Sequence, residues 1–176
     1  MSVNSVALTT TGRCWCFGDN VNTDVLAPGQ YIKLSIEELS SHCLESIDPD
    51  FASGVQSGDI IVAGKNFGTG SSREQAAQAL LQLGIRGVVA QSFGGIFFRN
   101  AINLGLPVMS PLPTEAALPA EAREAMMLDV SSACLTDTSS KEQWQLHPLP
   151  EFLQAMLNAG GLVPVLKRRF NAESGA

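Results

Sequence analysis

Between Gly64 and Glu74 the sequence reads GKNFGTGSSRE, and this segment holds the residues best suited to chemistry. Gly64, Gly68 and Gly70 can adopt backbone conformations closed to other residues and let a ligand approach the main chain. Ser71 and Ser72 supply hydroxyls, and a helix expected from Ser72 to Leu83 would offer unpaired N–H groups and a partial positive charge at its start. Arg73 adds a planar fork that fits a carboxylate or phosphate through two hydrogen bonds. Together these make a site for a small acidic molecule. Ser71 and Glu74 also have capping-box spacing, which is a purely structural use of the same residues. The crowding of glycines, a second serine and an arginine beside that box favours the anion site.

Other chemistries fit less well. A P-loop needs a lysine directly after its second glycine, whereas Lys65 precedes this loop and Gly70 is followed by Ser71. The G-x-G-x-x-G order fails too, because Gly68-Thr69-Gly70 runs on into Ser71, Ser72 and Arg73. A nucleophilic serine needs a base in reach, and the only histidines, His42 and His147, sit in no recognisable motif and read as structural or surface residues. Cys14 and Cys16 fall on one face of an extended strand, but with no second pair the chain is expected to bind no metal. The polar run Asp19–Asp24 serves either to shape a loop or to contact a ligand, with Asn22, Thr23 and Asp24 as candidates.

The elements that must position these residues alternate. A strand is expected over 12–17, then a helix from Ser35 to Leu44 with Ser35 and Glu38 as capping box and Ile36, Leu39 and Cys43 on one face. Ile60–Ala63 and Gly87–Ala90 read as buried strands, separated by the helix that ends at Gly84. A second helix starts near Ile96 and stops at Gly105, with a strand over 106–109. This alternation predicts an α/β fold. Residues 111–122 are irregular; strands are expected over 126–130 and 142–147 around a turn-rich TDTSSK, then a helix over 150–159 and a last strand over 162–166. One domain is expected over 1–170, with 171–176 a disordered tail.

The 176 residues are 45 % hydrophobic and 16 % charged, enough to bury a core. A net charge of −6, with Lys167-Arg168-Arg169 as the only basic cluster, argues against nucleic acid as a partner. The first residues, MSVNSVALTT, do not read as a leader, and no apolar run is long enough to span a bilayer, so a cytoplasmic location without membrane contact is expected.

Taken in order, GDNVNTDVLAPGQYI, GKNFGTGSSREQAAQAL and GIRGVVAQSFGGIFFRNAINLGLPVM resemble the small subunits of isopropylmalate isomerase and homoaconitase, members of the aconitase superfamily. The resemblance covers roughly residues 12–110. It implies a swivelling β/β/α fold, equivalent to the mobile last domain of aconitase. It also implies a separate large subunit carrying a 4Fe-4S cluster, with no cofactor held by this chain. The activity implied is that of a hydro-lyase acting on a hydroxy dicarboxylate: 3-isopropylmalate dehydratase or a relative using methylmalate, dimethylmalate or homoaconitate. Carried over by motif, Ser71 would be the catalytic base, and Ser72 and Arg73 would hold substrate carboxylate. Tyr31, Lys33, Thr23 and Asp24 would also line the substrate site. Lys33 occupies the position at which an apolar residue would favour an alkyl substituent and an arginine a further carboxylate. Family members often carry cysteine at the position of Thr69, histidine at Gln75 and Ala-Arg at Gly94-Gly95. From the residues alone, a non-catalytic carboxylate-binding or regulatory module is the competing reading.

Overall fold

The computed structural model describes residues 8–115 and 117–174. The chain starts on β1 (Thr9–Phe17), passes through three short helices, α1 (Thr23–Leu26), α2 (Ile36–Ser40) and α3 (Phe51–Gly54), and enters β2 (Ile60–Ala63). Then come α4 (Gln75–Leu83), β3 (Gly87–Ala90), α5 (Gly95–Leu104) and β4 (Val108–Met109). The second half holds β5 (Arg123–Asp129), β6 (Cys134–Asp137), β7 (Gln143–Gln145), α6 (Glu151–Asn158) and α7 (Leu162–Ser174). The strands form one sheet in the order β4-β3-β2-β1-β5-β6-β7.

β1 divides this sheet into two kinds of pairing. On one side β2, β3 and β4 continue it in parallel; on the other β5, β6 and β7 add an antiparallel meander. Every residue of β2 and β3 is buried, which is why IIVA and GVVA contain no polar position. α4 packs beside α1, α2 and α5, and α5 in turn meets α6 and α7. The apolar faces of α4 (Ala76, Ala77, Ala79, Leu80) and α5 (Phe97, Ala101, Ile102) join the strands in one hydrophobic cluster. Both helices end on a left-handed glycine, Gly84 and Gly105. α2 starts with the capping box of Ser35 and Glu38, as expected, and buries Leu39.

Two polar centres tie distant segments together. Asp59, 2 % exposed, accepts hydrogen bonds from the Arg13 N–H (3.1 Å), Arg13 Nη2 (2.9 Å), Trp15 Nε1 (2.9 Å) and the Gln56 N–H (3.0 Å). Burial pushes its carboxyl up, but these four donors outweigh that and hold it below the ordinary carboxylate value. At the meander, Arg123 Nη1 donates to Asp137 (2.8 Å) and Glu142 (2.9 Å) and lies over the Trp144 ring.

Several expectations are corrected. β1 begins at Thr9 rather than at residue 12, because Thr9–Gly12 pair with β5. β6 takes in Thr136 and Asp137, the first two residues of the run expected to be a turn, since Asp137 is neutralised by Arg123 and Cys134–Asp137 is buried throughout. The expected final strand is the first part of α7, whose Pro164 sits in the first helical turn, where no N–H is needed. That helix runs on to Ser174, so the basic trio lies exposed on a helix and the tail boundary at 171 falls inside it. The N-terminal residues read as lacking a leader lie, up to residue 7, outside the described residues, as do 175 and 176. Among the described residues no helix is long and apolar enough to cross a membrane.

Candidate active site

The loop from Gly64 to Glu74 leaves the C-terminal end of β2 and is clamped from both sides. From the 18–24 segment, Asp19 Oδ1 accepts the Lys65 N–H (2.7 Å), the Asn20 N–H donates to Lys65 O (2.7 Å), and Val21 O accepts the Gly68 N–H (2.7 Å). From the loop after β3, Ser92 O accepts the Phe67 N–H (2.9 Å), Ser92 Oγ accepts the Asn66 N–H (2.9 Å), and the Gly94 N–H donates to Phe67 O (2.8 Å). The path requires two of its glycines. Gly68 has φ +72° and a Cβ there would stand 2.2 Å from Phe97 Cγ; Gly70 has φ +118° and a Cβ there would stand 2.8 Å from Thr23 Oγ1.

This clamp brings Ser71 to Thr23. Thr23 is 2 % exposed; its N–H donates to Thr69 O (2.8 Å), and its Oγ1 accepts the Ser71 N–H (2.9 Å) and lies 3.2 Å from Ser71 Oγ. Asn22 shapes this turn: its Oδ1 accepts the N–H groups of Asp24 (2.9 Å) and Val25 (3.1 Å) and so caps α1. Asp24 is exposed and pairs with Arg73 Nη1, which also donates to Ala27 O (3.0 Å). Among the described residues Nη1 alone makes these contacts, and Nη2 lies against the Gly29 backbone.

The expected capping box does not form. α4 starts at Gln75 and not at Ser72, Glu74 is its N-cap in helical conformation, and no side chain caps it. The Ser71 hydroxyl instead faces Thr23. The N–H groups of Ser72, Arg73, Glu74 and Gln75 therefore meet no acceptor among the described residues, and Ser71 and Ser72 are both exposed. The short run from Ser71 to Gln75 thus carries a serine hydroxyl, unpaired N–H groups and an arginine, donor types that suit a carboxylate-bearing molecule.

Of the residues singled out from sequence, Ser71, Thr23, Asp24 and Arg73 are thus joined, and Ser72 lies exposed beside them. Tyr31 reaches this group indirectly, through the turn Gly29–Tyr31: a Cβ on Gly29 would stand 3.2 Å from Arg73 Nη2. Lys33 is exposed and forms no ion pair among the described residues. His42, expected to be a structural or surface residue, stacks its ring on Tyr31 at 3.6 Å between centroids and 14° between planes. No sequence signal links the two, because the stack depends on how α2 and the turn before it fold together. A cavity of about 300 Å³ is lined by Asp24, Pro28, Gly29, Gln30, Glu45 and Ser46. A larger one, about 460 Å³, sits at the other end of α4, by Gln82 and Gly105. Cys14 and Cys16 share one face, as expected, with their sulfurs 3.7 Å apart.

Residues 24–113, which include this whole loop, match the family model described as aconitase C-terminal domain. The chain is 44 % identical over 153 residues to the methanogen homoaconitase small subunit of Methanothermobacter thermautotrophicus, covering 86 % of this chain and 87 % of that one. It is 44 % identical over 160 residues to the 3-isopropylmalate dehydratase small subunit of Moorella thermoacetica, covering 90 % and 95 % of the two chains. The crystal structure of 3-isopropylmalate dehydratase from Methanocaldococcus jannaschii superposes with a TM-score of 0.86 at 39 % identity, over 95 % of this chain and 98 % of that one. The α/β sheet with its clamped Ser71 loop is therefore the swivel-type fold that the sequence motifs implied, and the chain belongs to the aconitase C-terminal domain family, among the small subunits of 3-isopropylmalate dehydratase and homoaconitase.

Proposed function

We propose that this chain is the small subunit of a heteromeric iron–sulfur hydro-lyase acting on a hydroxy dicarboxylate. The first candidate reaction is the interconversion of 2-isopropylmalate and 3-isopropylmalate through isopropylmaleate; methylmalate, dimethylmalate and homoaconitate are the neighbouring substrate choices. The observation that carries the reading is the Ser71 hydroxyl, exposed on one side and held on the other by buried Thr23, beside the free N–H groups that enter α4. In this reading Ser71 Oγ takes the proton from the carbon next to a substrate carboxylate, hydroxide leaves the adjacent carbon, and a C=C bond forms; readdition of water with the hydrogen and hydroxyl on exchanged carbons gives the isomer. Arg73 and the Ser72 hydroxyl hold a carboxylate, while Thr23 and Asp24 fix Ser71 and Arg73 in place. A serine hydroxyl ionises only when donors surround it and water is excluded, so the closed complex with a large subunit is part of the proposal.

The residues of this chain do not suit an iron–sulfur cluster. Cys14, Cys43 and Cys134 are buried in the core, Cys16 is half-buried, and the described residues contain no group of three or more His, Cys, Asp or Glu side chains placed to share an ion. The proposal therefore assigns the 4Fe-4S cluster to the large subunit. Four unpaired thiols suit a reducing compartment, and the proposed location is the cytoplasm.

The test is coexpression with the large subunit under anaerobic conditions and turnover of a panel of alkyl- and carboxyalkyl-malates. Ser71→Ala is expected to lower kcat by at least about 100-fold while the complex still assembles. Near-normal turnover by that variant would remove Ser71 from the chemistry.

A further inference from the structure

We propose that Cys14 and Cys16 form a redox-sensitive dithiol: a hydroperoxide closes them into a disulfide, and closure shortens β1 where it leads into the segment that clamps the Ser71 loop. The dithiol stands on its own geometry; its effect on turnover rests on the hydro-lyase reading above.

The two cysteines are alternate residues of one strand, and their sulfurs are 3.7 Å apart. Among the described residues no third metal-ligating side chain joins them, so their chemistry is that of a dithiol. Cys14 is buried and Cys16 is half-buried, its Sγ donating to Glu121 O (3.1 Å) in a contact open to solvent. Cys16 therefore meets an oxidant first. Its Sγ takes oxygen from the hydroperoxide: an S–O bond forms, the O–O bond breaks, and the Cys16 proton leaves with the alcohol. Cys14 Sγ then attacks Cys16 Sγ: an S–S bond forms, the S–O bond breaks, and hydroxide leaves with the Cys14 proton as water. The two thiols lose two electrons and the peroxide gains them. The hydrogen bond from Cys16, helped by Arg123, outweighs burial and holds the Cys14 thiol below its ordinary value, which suits it to attack as a thiolate. The same bond, together with burial, pushes Cys16 up, so closure is slow and calls for peroxide in excess. A disulfide formed in a reducing compartment is transient and serves to sense.

Alternate residues of an extended strand have Cα atoms about 6.6–6.8 Å apart, at the upper limit of what a disulfide spans. Closure must draw the strand in between residues 14 and 16, and β1 can yield there. Its ladder with β5 shifts register between Gly12 and Cys14 and ends at the Cys14–Arg123 pair, so Trp15–Phe17 are laddered only to β2. Trp15, between the two sulfurs, donates from Nε1 to Asp59 (2.9 Å) and meets Phe51 edge-on at 5.1 Å. Two residues after Cys16, Gly18 O accepts the Gly64 N–H (3.1 Å), and the next five residues hold Lys65, Gly68 and Ser71. Shortening at residues 14–16 thus pulls on the stretch of chain that sets Ser71.

The test treats the isolated full-length chain with excess hydrogen peroxide, removes the peroxide and maps peptides without reduction. The expected product is a link between Cys14 and Cys16, two hydrogens lighter than the dithiol and reopened by dithiothreitol. Tryptophan emission should change on closure, since Trp15 is one of only two tryptophans. The oxidised chain is then mixed anaerobically with untreated large subunit, so that the cluster never meets peroxide. Turnover of the malates is expected to be about 10- to 100-fold below that of the reduced chain, the effect of a small displacement at a reacting group, and to return with dithiothreitol. Cys16→Ser should keep its turnover and its emission through the same treatment; Cys14→Ser is the second variant. Oxidation of Cys16 to a sulfinic acid with no link to Cys14, or a link that leaves turnover unchanged, would overturn the proposal. Untreated complex that turns over none of the malates would instead defeat the hydro-lyase reading, and the peptide map and tryptophan emission would then decide the dithiol by themselves.

Discussion

Thr23 Oγ1 accepts the Ser71 N–H at 2.9 Å and sits 3.2 Å from Ser71 Oγ, so one buried hydroxyl orients both the backbone and the side chain of the proposed base. Thr23→Val keeps the shape and removes the oxygen. It is expected to lower kcat by about 100-fold, the usual effect of losing one aligned partner at a reacting oxygen. It should also cost about 1–3 kcal/mol of stability through the unpaired N–H, read from urea unfolding, and Thr23→Ser should recover most of both. Asp59 governs a second measurable property. Its carboxyl is held below the ordinary value, so its contribution is complete above the unfolded-state pKa of about 3.9 and is lost as pH falls through the lower folded-state value. Asp137, held at about 2 chiefly by Arg123 and by the N–H groups of Ser140 and Ser139, behaves the same way. The urea midpoint should hold above about pH 5 and fall below about pH 4. Asp59→Ala should cost about 3 kcal/mol near pH 7, because Arg13, Trp15 and Gln56 then lose a shared buried acceptor, and it should flatten the acid slope.

Among elements, the junction of β2, loop and α4 tolerates the least. Gly70→Ala places a methyl group 2.8 Å from Thr23 Oγ1 at φ +118°, so the loop must move at Ser71 itself. Turnover is expected to vanish while unfolding free energy falls by about 1–3 kcal/mol, a split that a general loss of folding would not give. The elements that position this loop were readable in the sequence because each is locally consistent: IIVA and GVVA are unbroken apolar runs, and α4 and α5 end on glycine. Others depend on partners far along the chain. Thr9–Gly12 look too polar for a strand until β5 pairs with them, and Asp137 looks like a turn residue until Arg123 reaches it. LVPVL at 162–166 has strand composition, and only its place in the first turns of α7 makes it helical. At the site, the serine and arginine were legible as types, but the Ser71–Glu74 spacing suggested a cap because Thr23, the actual partner of Ser71, is distant in sequence. The His42–Tyr31 stack left no trace in the pattern at all.

At the scale of the whole molecule, one continuous core joins residues from Cys14 to Leu157, and the proposed chemistry lies at its rim, open to solvent. A base exposed to water has no means of ionising unaided. The isolated chain is therefore expected to unfold in a single cooperative urea transition yet show no turnover, and to gain activity on addition of the cluster-bearing large subunit. Activity of the chain alone would contradict that division of labour.

The seam at β1 also has a consequence in time. Residues 9–109 contain every strand of the parallel half, while the other flank of β1 is covered only by Arg123–Asp129. On the ribosome the parallel half can pair first, leaving the N–H and C=O groups of Thr9–Gly12 as an open edge until β5 emerges. At about 5–20 residues per second, that edge stands uncovered for about 1–4 s. The polar run TTTG that hid the start of β1 from sequence reading is what makes the interval safe, since a threonine-rich edge offers little apolar surface to a neighbouring nascent chain.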